Sequence, residues 1–419
     1  MSGFVGHGRG EVTDLSELIS VEEHLEALLA LLPTPEPIEL RLADALGLVL
    51  ADPVASEVTV PAVANSAMDG YAVIARDVRA ASVEDPVRLA VDGEVVAGVQ
   101  ELPTVRAGRS VRIMTGAPLP PGADAVVPVE VTSKLGVDVG IHRAVEVGAN
   151  VRSPGEDLQP GQPLLARGRR LSPADLGVLA AAGVSRVRCI APPRVVVISS
   201  GDELVPADHE PLPGQVRDVN GPMLAAMVRA AGAVPFSAGI VRDDRKALRY
   251  VLDTSLGHAD LIVCTGGASA GTRDLLPEVI GSLGEVATAK VAMKPGMPQI
   301  RGRITGVPVI GLPGNPVSAF VSFEVFVRPV IRSLQGRRDV QRPVVQAIAA
   351  EPLRSTPGKR SFLRVRLARD GERWLARPTG HQGSHVVSSI ARADGLAVLD
   401  EDVLEVAAGD PVRVHLLVE

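Results

Sequence analysis

Three short stretches of this sequence combine glycine with hydroxyl, acidic or amide residues: "SSGDEL" (199–204), "TGGASAGTRD" (265–274) and "LPGNPVS" (312–318). In the second, Gly266, Gly267 and Gly271 stand with Thr265 and Ser269. Such a loop lets backbone approach a ligand and aims N–H groups at it, which is the chemistry of a phosphate or other oxyanion site ahead of a helix. One loop of this kind reads equally well as an ordinary strand-to-helix turn. Three on one sheet edge favour a ligand site. The same stretches hold Asp202, Glu203 and Asp274, with Asp243 and Asp244 nearby. Carboxylates repel an anion unless a cation intervenes, and Mg²⁺ held by one or two carboxylates plus a substrate oxygen resolves the conflict. That makes Glu203 and Asp274 the leading acids. Lys290 and Lys294 of "KVAMKPGMPQI" add positive charge to a run stiffened by Pro295, Gly296 and Pro298. Taken alone, the two lysines read as a solvated loop edge.

A second group lies earlier. Asp69 precedes Gly70 in "NSAMDGYAV", Thr115 sits in "IMTGAPLPPGADAVV", and Arg152, Glu156 and Asp157 fall in "NVRSPGEDL". By spacing alone each reads as a turn. Cys189 and Cys264 lie in or beside apolar runs and read as buried thiols, and no paired Cys/His spacing suggests zinc. His381 and His385 in "HQGSH" are four apart, but the glycine between them argues for a loop rather than a metal-binding helix.

These residues need elements to hold them. From 190 to 335 strand, loop and helix alternate: "RVVVISS", "DLIVCTGG" and "VPVIGLPGN" read as buried strands, with helices between them and a long one after Asn315. That rhythm predicts a parallel sheet covered on both faces, with ligands beyond the carboxyl ends of its strands. Asn220 stands before Pro222 at the start of a helix that stops at Gly232. In "SVEEHLEALLALL" Ser20 and Glu23 form a capping box, and "ELRLADALGLVLA" reads as a second short helix. Short Val-rich runs between 56 and 149 predict a small β domain. Ser172 and Pro173 start another helix that Gly183 stops. The tail from 337 is β-rich and fits a small barrel or sandwich. The expected fold is therefore multidomain α/β plus β. Residues 1–18 are a disordered lead-in. Residues 19–55 and 150–187 form an elongated helical part into which the β domain 56–149 is inserted. A three-layer α/β domain spans 188–336, and a C-terminal β-barrel-like domain spans 337–419.

The bulk numbers set limits. At 419 residues the chain exceeds what one core supports. A net charge of −6 and 2% aromatic residues argue against nucleic acid as the main partner. No stretch reaches the roughly 18 apolar residues of a membrane span, and the N-terminus lacks the apolar core of a secretory signal, so a cytoplasmic location is expected.

In order along the chain, "NSAMDGYA", "IMTGAPLPPGADAVV", "GEDL", "SSGDEL", "GGASAGTRD", "KPG", "GLPGNPVSA" and "GHQGSHVVSS" closely resemble the molybdopterin molybdenumtransferases, the family of bacterial MoeA and the gephyrin E domain. The resemblance covers about 20–419. It implies an enzyme that takes adenylated molybdopterin and molybdate, uses Mg²⁺, inserts molybdenum into the dithiolene and releases AMP. It also implies a homodimer whose active cleft lies between the α/β domain of one subunit and the β and helical parts of the other. A molybdopterin-adenylating protein would be the upstream partner. By matching motif, the family's functional acids fall on Asp69, Asp157, Glu203, Asp243 and Asp274, with Glu203, Asp243 and Asp274 around the metal. Thr115 matches the "MTGAP" threonine. Lys290 and Lys294, Pro313 and Pro316, Ser384 of "HQGS", and the Gly266, Gly267, Ser269, Gly271 loop match ligand-holding positions. The chain departs from the family pattern at Met297, where "KPGKP" has lysine, at Ser361 and Val365 in "PGKRSFLRV", where the family has aspartate and glycine, and at Val219. These departures bear on substrate affinity rather than on fold. A gephyrin-like scaffold that binds a peptide of a receptor or cytoskeletal protein is the alternative the resemblance allows, and a generic nucleotide-phosphate binder is a third reading.

Overall fold

The computed structural model describes residues 13–99, 101–266 and 275–417. The chain divides into two compact units, one of residues 1–38 with 190–419 and one of 39–189.

The first unit is built on a seven-stranded sheet. In chain order its strands are β1 (Thr13–Ile19), β2 (Arg194–Ser200), β3 (Val234–Val241), β4 (Leu261–Thr265), β5 (Glu285–Val291), β6 (Pro298–Ile304) and β7 (Val307–Leu312). In space they lie in the order β1-β5-β6-β7-β4-β2-β3. Strands β3, β2, β4 and β7 run parallel. Strand β6 is antiparallel to both neighbours, and β1 is parallel to β5. The parallel sheet read from the sequence is thus one side of a mixed one, running from β7 to the β3 edge.

Side-chain alternation sends successive residues to opposite faces. Val195, Val197, Leu261 and Val263 enter one core with Leu224 and Val228 of helix α2 (Asn220–Ala230). Val196, Ile198, Ile262 and Cys264 enter the other core with Leu248 and Leu252 of α3 (Arg245–Leu256) and Val279 and Ile280 of α4 (Leu275–Leu283). Both faces are covered, as a parallel sheet requires. Asp244 caps α3 by accepting from the Ala247 amide. After β7 the chain runs through a helix Pro316–Ser322, a π-helical turn Phe323–Val327 and a last helix Arg328–Leu334. The tail closes a five-stranded barrel. Its strands Val344–Ala349, Arg360–Asp370, Arg373–Pro378, Gly395–Leu399 and Pro411–Leu416 end with Gly395–Leu399 returning to pair with Arg360–Asp370. Val365, Ala376, Ala397 and Val414 fill it.

The second unit holds a six-stranded sheet made from Gly70–Val73, Val87–Val95, Arg109–Ile113, Ala125–Pro128, Thr132–Leu135 and Asp138–Ile141. The helix Pro173–Ala181 starts with the expected Ser172 cap, reciprocated by Asp175, and Gly183 follows at φ +78°.

Three expectations change. Residues 13–18, read as part of the lead-in, belong to β1, whose Leu18 and Ile19 pair with Lys290 and Val291. Residues 1–12 lie outside the described residues. The segment "ELRLADALGLVLA" is not a helix. Strand Pro37–Arg41, one 3₁₀ turn at Leu42–Asp44 and strand Val49–Leu50 flank Arg186–Ile190, because Gly47 turns at φ +78° and the neighbouring strand supplies backbone partners that a helix would forgo. Helix α1 (Val21–Leu29), with its Ser20–Glu23 capping box, places Val21 and Leu28 in the core of the α/β unit, so it does not group with 150–187. In α2 the cap position is Val219, and Asn220 is the first helical residue.

His24 of α1 is fully buried, edge-on to Phe326 at 4.8 Å, and its Nδ1 faces Nη1 of Arg301 at 3.2 Å. Burial, then the Arg301 charge, lowers its pKa from 6.5 to about 3. Between those values the unfolded chain binds the proton and the folded chain does not. Stability from this group is therefore complete above pH 6.5 and is lost as pH falls toward 3, with a slope approaching about 1.4 kcal/mol per pH unit. In urea unfolding at several pH values, His24→Gln should lose less stability than the native chain between pH 6.5 and pH 4. Parallel pH profiles for the two proteins would contradict a buried neutral imidazole.

Candidate functional site

The parallel strands β2, β4 and β7 deliver their exits to one edge. Gly266 leaves β4 at φ +90°, and a Cβ there would lie 2.0 Å from the Ser200 carbonyl oxygen. Gly314, after β7, lies near Gly266, since a Cβ on Gly314 would be 3.7 Å from the Gly266 Cα. The three exits therefore meet backbone to backbone around a cleft of about 710 Å³. Glu203, Gly266, Pro313 and Pro316 line it together with Asn220 and Met297. Asp243 is absent from this lining but adjoins it, because Ser200 Oγ donates to Asp243 Oδ1 at 2.5 Å. The Asp243 amide donates to Asp202 Oδ1 at 3.2 Å.

A second cleft of about 680 Å³ adjoins the first. Lys294 and Ser384 line it, with Ser318, Lys359, Ser361 and Arg364. Met297 and Pro298 are the residues that line both clefts. They belong to the β5–β6 hairpin, which is held on every side. The Val291 amide donates to the Met297 carbonyl at 2.8 Å. Gln299 Nε2 donates to the Gly296 carbonyl at 2.6 Å and to Ser322 Oγ at 2.7 Å. Met293–Lys294 pairs in parallel with Arg360–Ser361 of the barrel. Lys294 Nζ donates to Thr356 Oγ1 at 2.8 Å.

The basic cleft owes its character to Arg364. This arginine is 1% exposed, and its guanidinium donates to Ser389 Oγ at 3.2 Å and the Gly383 carbonyl at 3.3 Å. Among the described residues it has no carboxylate partner, and burial lowers its pKa to about 10. It therefore stays charged at neutral pH. Arg360, four residues earlier, is ion-paired with Glu22, Asp400 and Glu401. The part-buried cation of this strand is neutralised by acids, and the buried one is left to the cleft. Sequence reading missed Arg364, and the signal was an arginine within the apolar run "SFLRVRL".

The remaining predicted residues fall elsewhere. Lys290 is exposed, opposite Pro298 in the β5–β6 ladder, and lines neither cleft. In the second unit Asp69 and Thr115 meet, since the Thr115 amide and hydroxyl both donate to Asp69 Oδ1 at 2.7 Å. The amide first and the hydroxyl second hold the Asp69 carboxyl below its usual range. Asp157 lies in a separate hollow of about 550 Å³ with Asn65, Arg152 and Glu156. Gly267, Ser269, Gly271 and Asp274 lie outside the described residues. Among the described residues no three His, Cys, Asp or Glu side chains gather as a metal-ligand group. His381 and His385 stand on a loop with ring centroids 6.0 Å apart, the first facing the basic cleft and the second the other.

Comparison with known proteins bears on this arrangement. Residues 19–183 match the MoeA N-terminal region (domain I and II), 196–333 a probable molybdopterin binding domain, and 346–417 the MoeA C-terminal region (domain IV). The chain belongs to the MoeA family. Among curated members it is 42% identical over 402 residues to molybdopterin molybdenumtransferase 2 of Mycobacterium tuberculosis, covering 94% of this chain and 98% of that protein. It is 36% identical over 422 residues to molybdopterin molybdenumtransferase 1 of the same organism, covering 96% and 99%. Two MoeA crystal structures from Pyrococcus horikoshii superpose with TM-scores of 0.83 and 0.79, at 34% and 27% identity, each covering 96% of this chain and 99% and 100% of the other. These MoeA relatives carry transferase or molybdopterin-biosynthesis names, which does not favour the gephyrin-like scaffold reading. No helix among the described residues is long and apolar enough to cross a membrane.

The hairpin also explains a glycine. Gly296 has φ +105°, and a Cβ there would sit 2.6 Å from Ser322 Oγ. Gly306 has φ +89° with nothing within 4 Å. Gly296→Ala should lower the unfolding free energy by about 1–3 kcal/mol, and by more than Gly306→Ala does. Equal losses in urea titrations would show that the hairpin is not pinned at Gly296.

Proposed function

We propose that this chain is a molybdopterin molybdenumtransferase, inserting molybdenum from molybdate into adenylated molybdopterin with release of AMP. The observation that carries the reading is the shared wall. A glycine-lined cleft with carboxylates and a basic cleft with a buried guanidinium that no described carboxylate pairs meet at Met297 and Pro298. One enzyme that joins an oxyanion to a phosphate-linked pterin needs two such half-sites side by side, because holding both reactants replaces a bimolecular encounter.

In this reading the backbone around Gly266 and Gly314 cradles the phosphate link, and Lys294 with Arg364 receives the doubly charged molybdate. Mg²⁺, when bound, would neutralise phosphate charge. Glu203 and Asp243 offer the hard oxygen donors it prefers, and Asp274 is the third expected donor. Glu203 and Asp243 would also orient the adenylate so that the phosphate link faces the wall at Met297. Asp69, Thr115 and Asp157 enter through the family resemblance, as do the homodimer, the upstream adenylating protein and a cytoplasmic location.

The test is AMP release from adenylated molybdopterin with molybdate and Mg²⁺, run beside a curated relative. The reading fails if the relative releases AMP and this protein does not. Arg364→Met should raise the apparent KM for molybdate by about 10-fold or more, the scale of losing a charge-assisted contact. Met297→Lys should lower that KM by about 3- to 10-fold at low salt, with most of the gain gone in high salt. An Arg364→Met enzyme with unchanged molybdate KM would remove the basic cleft from the mechanism.

A further inference from the structure

We propose that Asn220 is a positioning residue that ties two of the strand exits of the glycine-lined cleft, those of β4 and β7, into one rigid rim. Its Nδ2 donates to Thr265 Oγ1 at 2.8 Å and to the Gly314 carbonyl at 2.7 Å. Thr265 Oγ1 in turn donates to the Pro313 carbonyl at 3.3 Å. One side-chain amide thus joins the start of α2 to the end of β4 and to the loop after β7. Asn220 is itself held from below. The Gly221 amide donates to Asp218 Oδ1 at 2.9 Å, and residue 221 has no room for a Cβ, which would meet Asp218 Oδ2 at 2.4 Å and Ser199 Oγ at 3.0 Å.

The independent sign is what the side chain leaves unmatched. Asn220 is 8% exposed, and its Oδ1 is buried without a hydrogen-bond partner. A buried acceptor left alone is costly, so such residues call for a reason. A residue placed only for stability would match both ends of its amide. Here both N–H groups are committed to loop backbone and hydroxyl, while the carbonyl is sacrificed. That pattern fits a site kept in shape at the expense of local stability. Aspartate, equal in size, offers no N–H and would set a carboxylate against the Gly314 carbonyl. The tie is a property of the protein alone. Its consequence for turnover rests on the transferase reading.

Two variants test it: Asn220→Asp, and Thr265→Val, which keeps shape and removes one acceptor. Amide hydrogen exchange on the full chain without ligand should speed by about 10-fold in peptides covering 264–266 and 312–315 for Asn220→Asp, and by less for Thr265→Val. Exchange in the barrel strand Arg360–Asp370 should not change. AMP, titrated by calorimetry, should bind about 10-fold more weakly to Asn220→Asp. Where turnover is measurable, kcat should fall while the molybdate KM holds. Unchanged exchange at the rim, or exchange raised equally in rim and barrel, would overturn the proposal even if AMP release is normal. Faster exchange at the rim with no AMP release would leave the tie standing and remove the transferase reading.

Discussion

Gly266 leaves its strand with its Cα pressed toward the carbonyl of Ser200, where the first carbon of any side chain would come within 2.0 Å of that oxygen. Much of the cleft follows from this contact. It brings two neighbouring parallel strands to a common edge, lets Gly314 close in beside them, and leaves Thr265 where the Asn220 amide reaches it. The buried β2 and β4, with alternate residues in two cores, keep that edge from yielding. The contact is steric rather than attractive, and it acts by exclusion. A residue with a Cβ at 266 would move one strand exit, and the opposite rim would move with it through Asn220.

Strand-and-helix rhythm, the Ser20 and Ser172 caps and the closed tail barrel were legible because they rest on local signals: apolar alternation, capping side chains and turn glycines. The segment 39–51 misled because its apolar spacing suits a helix, while the deciding partner, Arg186–Ile190, lies more than a hundred residues away. The family motifs pointed to Glu203, Lys294, Pro313 and Ser384, which do line the two clefts. They did not point to Arg364 or to the true role of Asn220. Both roles come from tertiary placement. Arg364 matters because no acid among the described residues pairs with it, and Asn220 because two loops from distant sequence end beside it.

The β5–β6 hairpin gives the departure at Met297 a physical setting. Met297 is fixed by the Val291 amide and by the loop that Gln299 pins, so its side chain stands at the boundary between a basic cleft and a glycine-lined one. An unbranched thioether there offers apolar, adaptable contact. The cation it replaces in the family pattern is not missing from the cleft as a whole, because Lys294, Lys359 and Arg364 remain. Ser361, another departure, lines the same cleft and shares a 2.7 Å hydrogen bond with Ser355. Two changes of opposite charge sense thus meet in one place, which leaves the balance of that cleft nearly unaltered.

The pairing of β1 with β5 also governs how the chain is made. Leu18 and Ile19 lie beside Lys290 and Val291, so β1 leaves the ribosome with its sheet neighbour some 270 residues behind it. At about 5–20 residues per second of synthesis, that neighbour arrives on the order of tens of seconds later. Throughout that interval helix α1, whose Val21 and Leu28 belong to the α/β core, has nothing to cover its apolar side. The second unit, 39–189, is finished meanwhile. A nascent chain of this protein therefore carries a completed sheet behind an uncovered amphipathic helix, which is the kind of surface that holding chaperones take up.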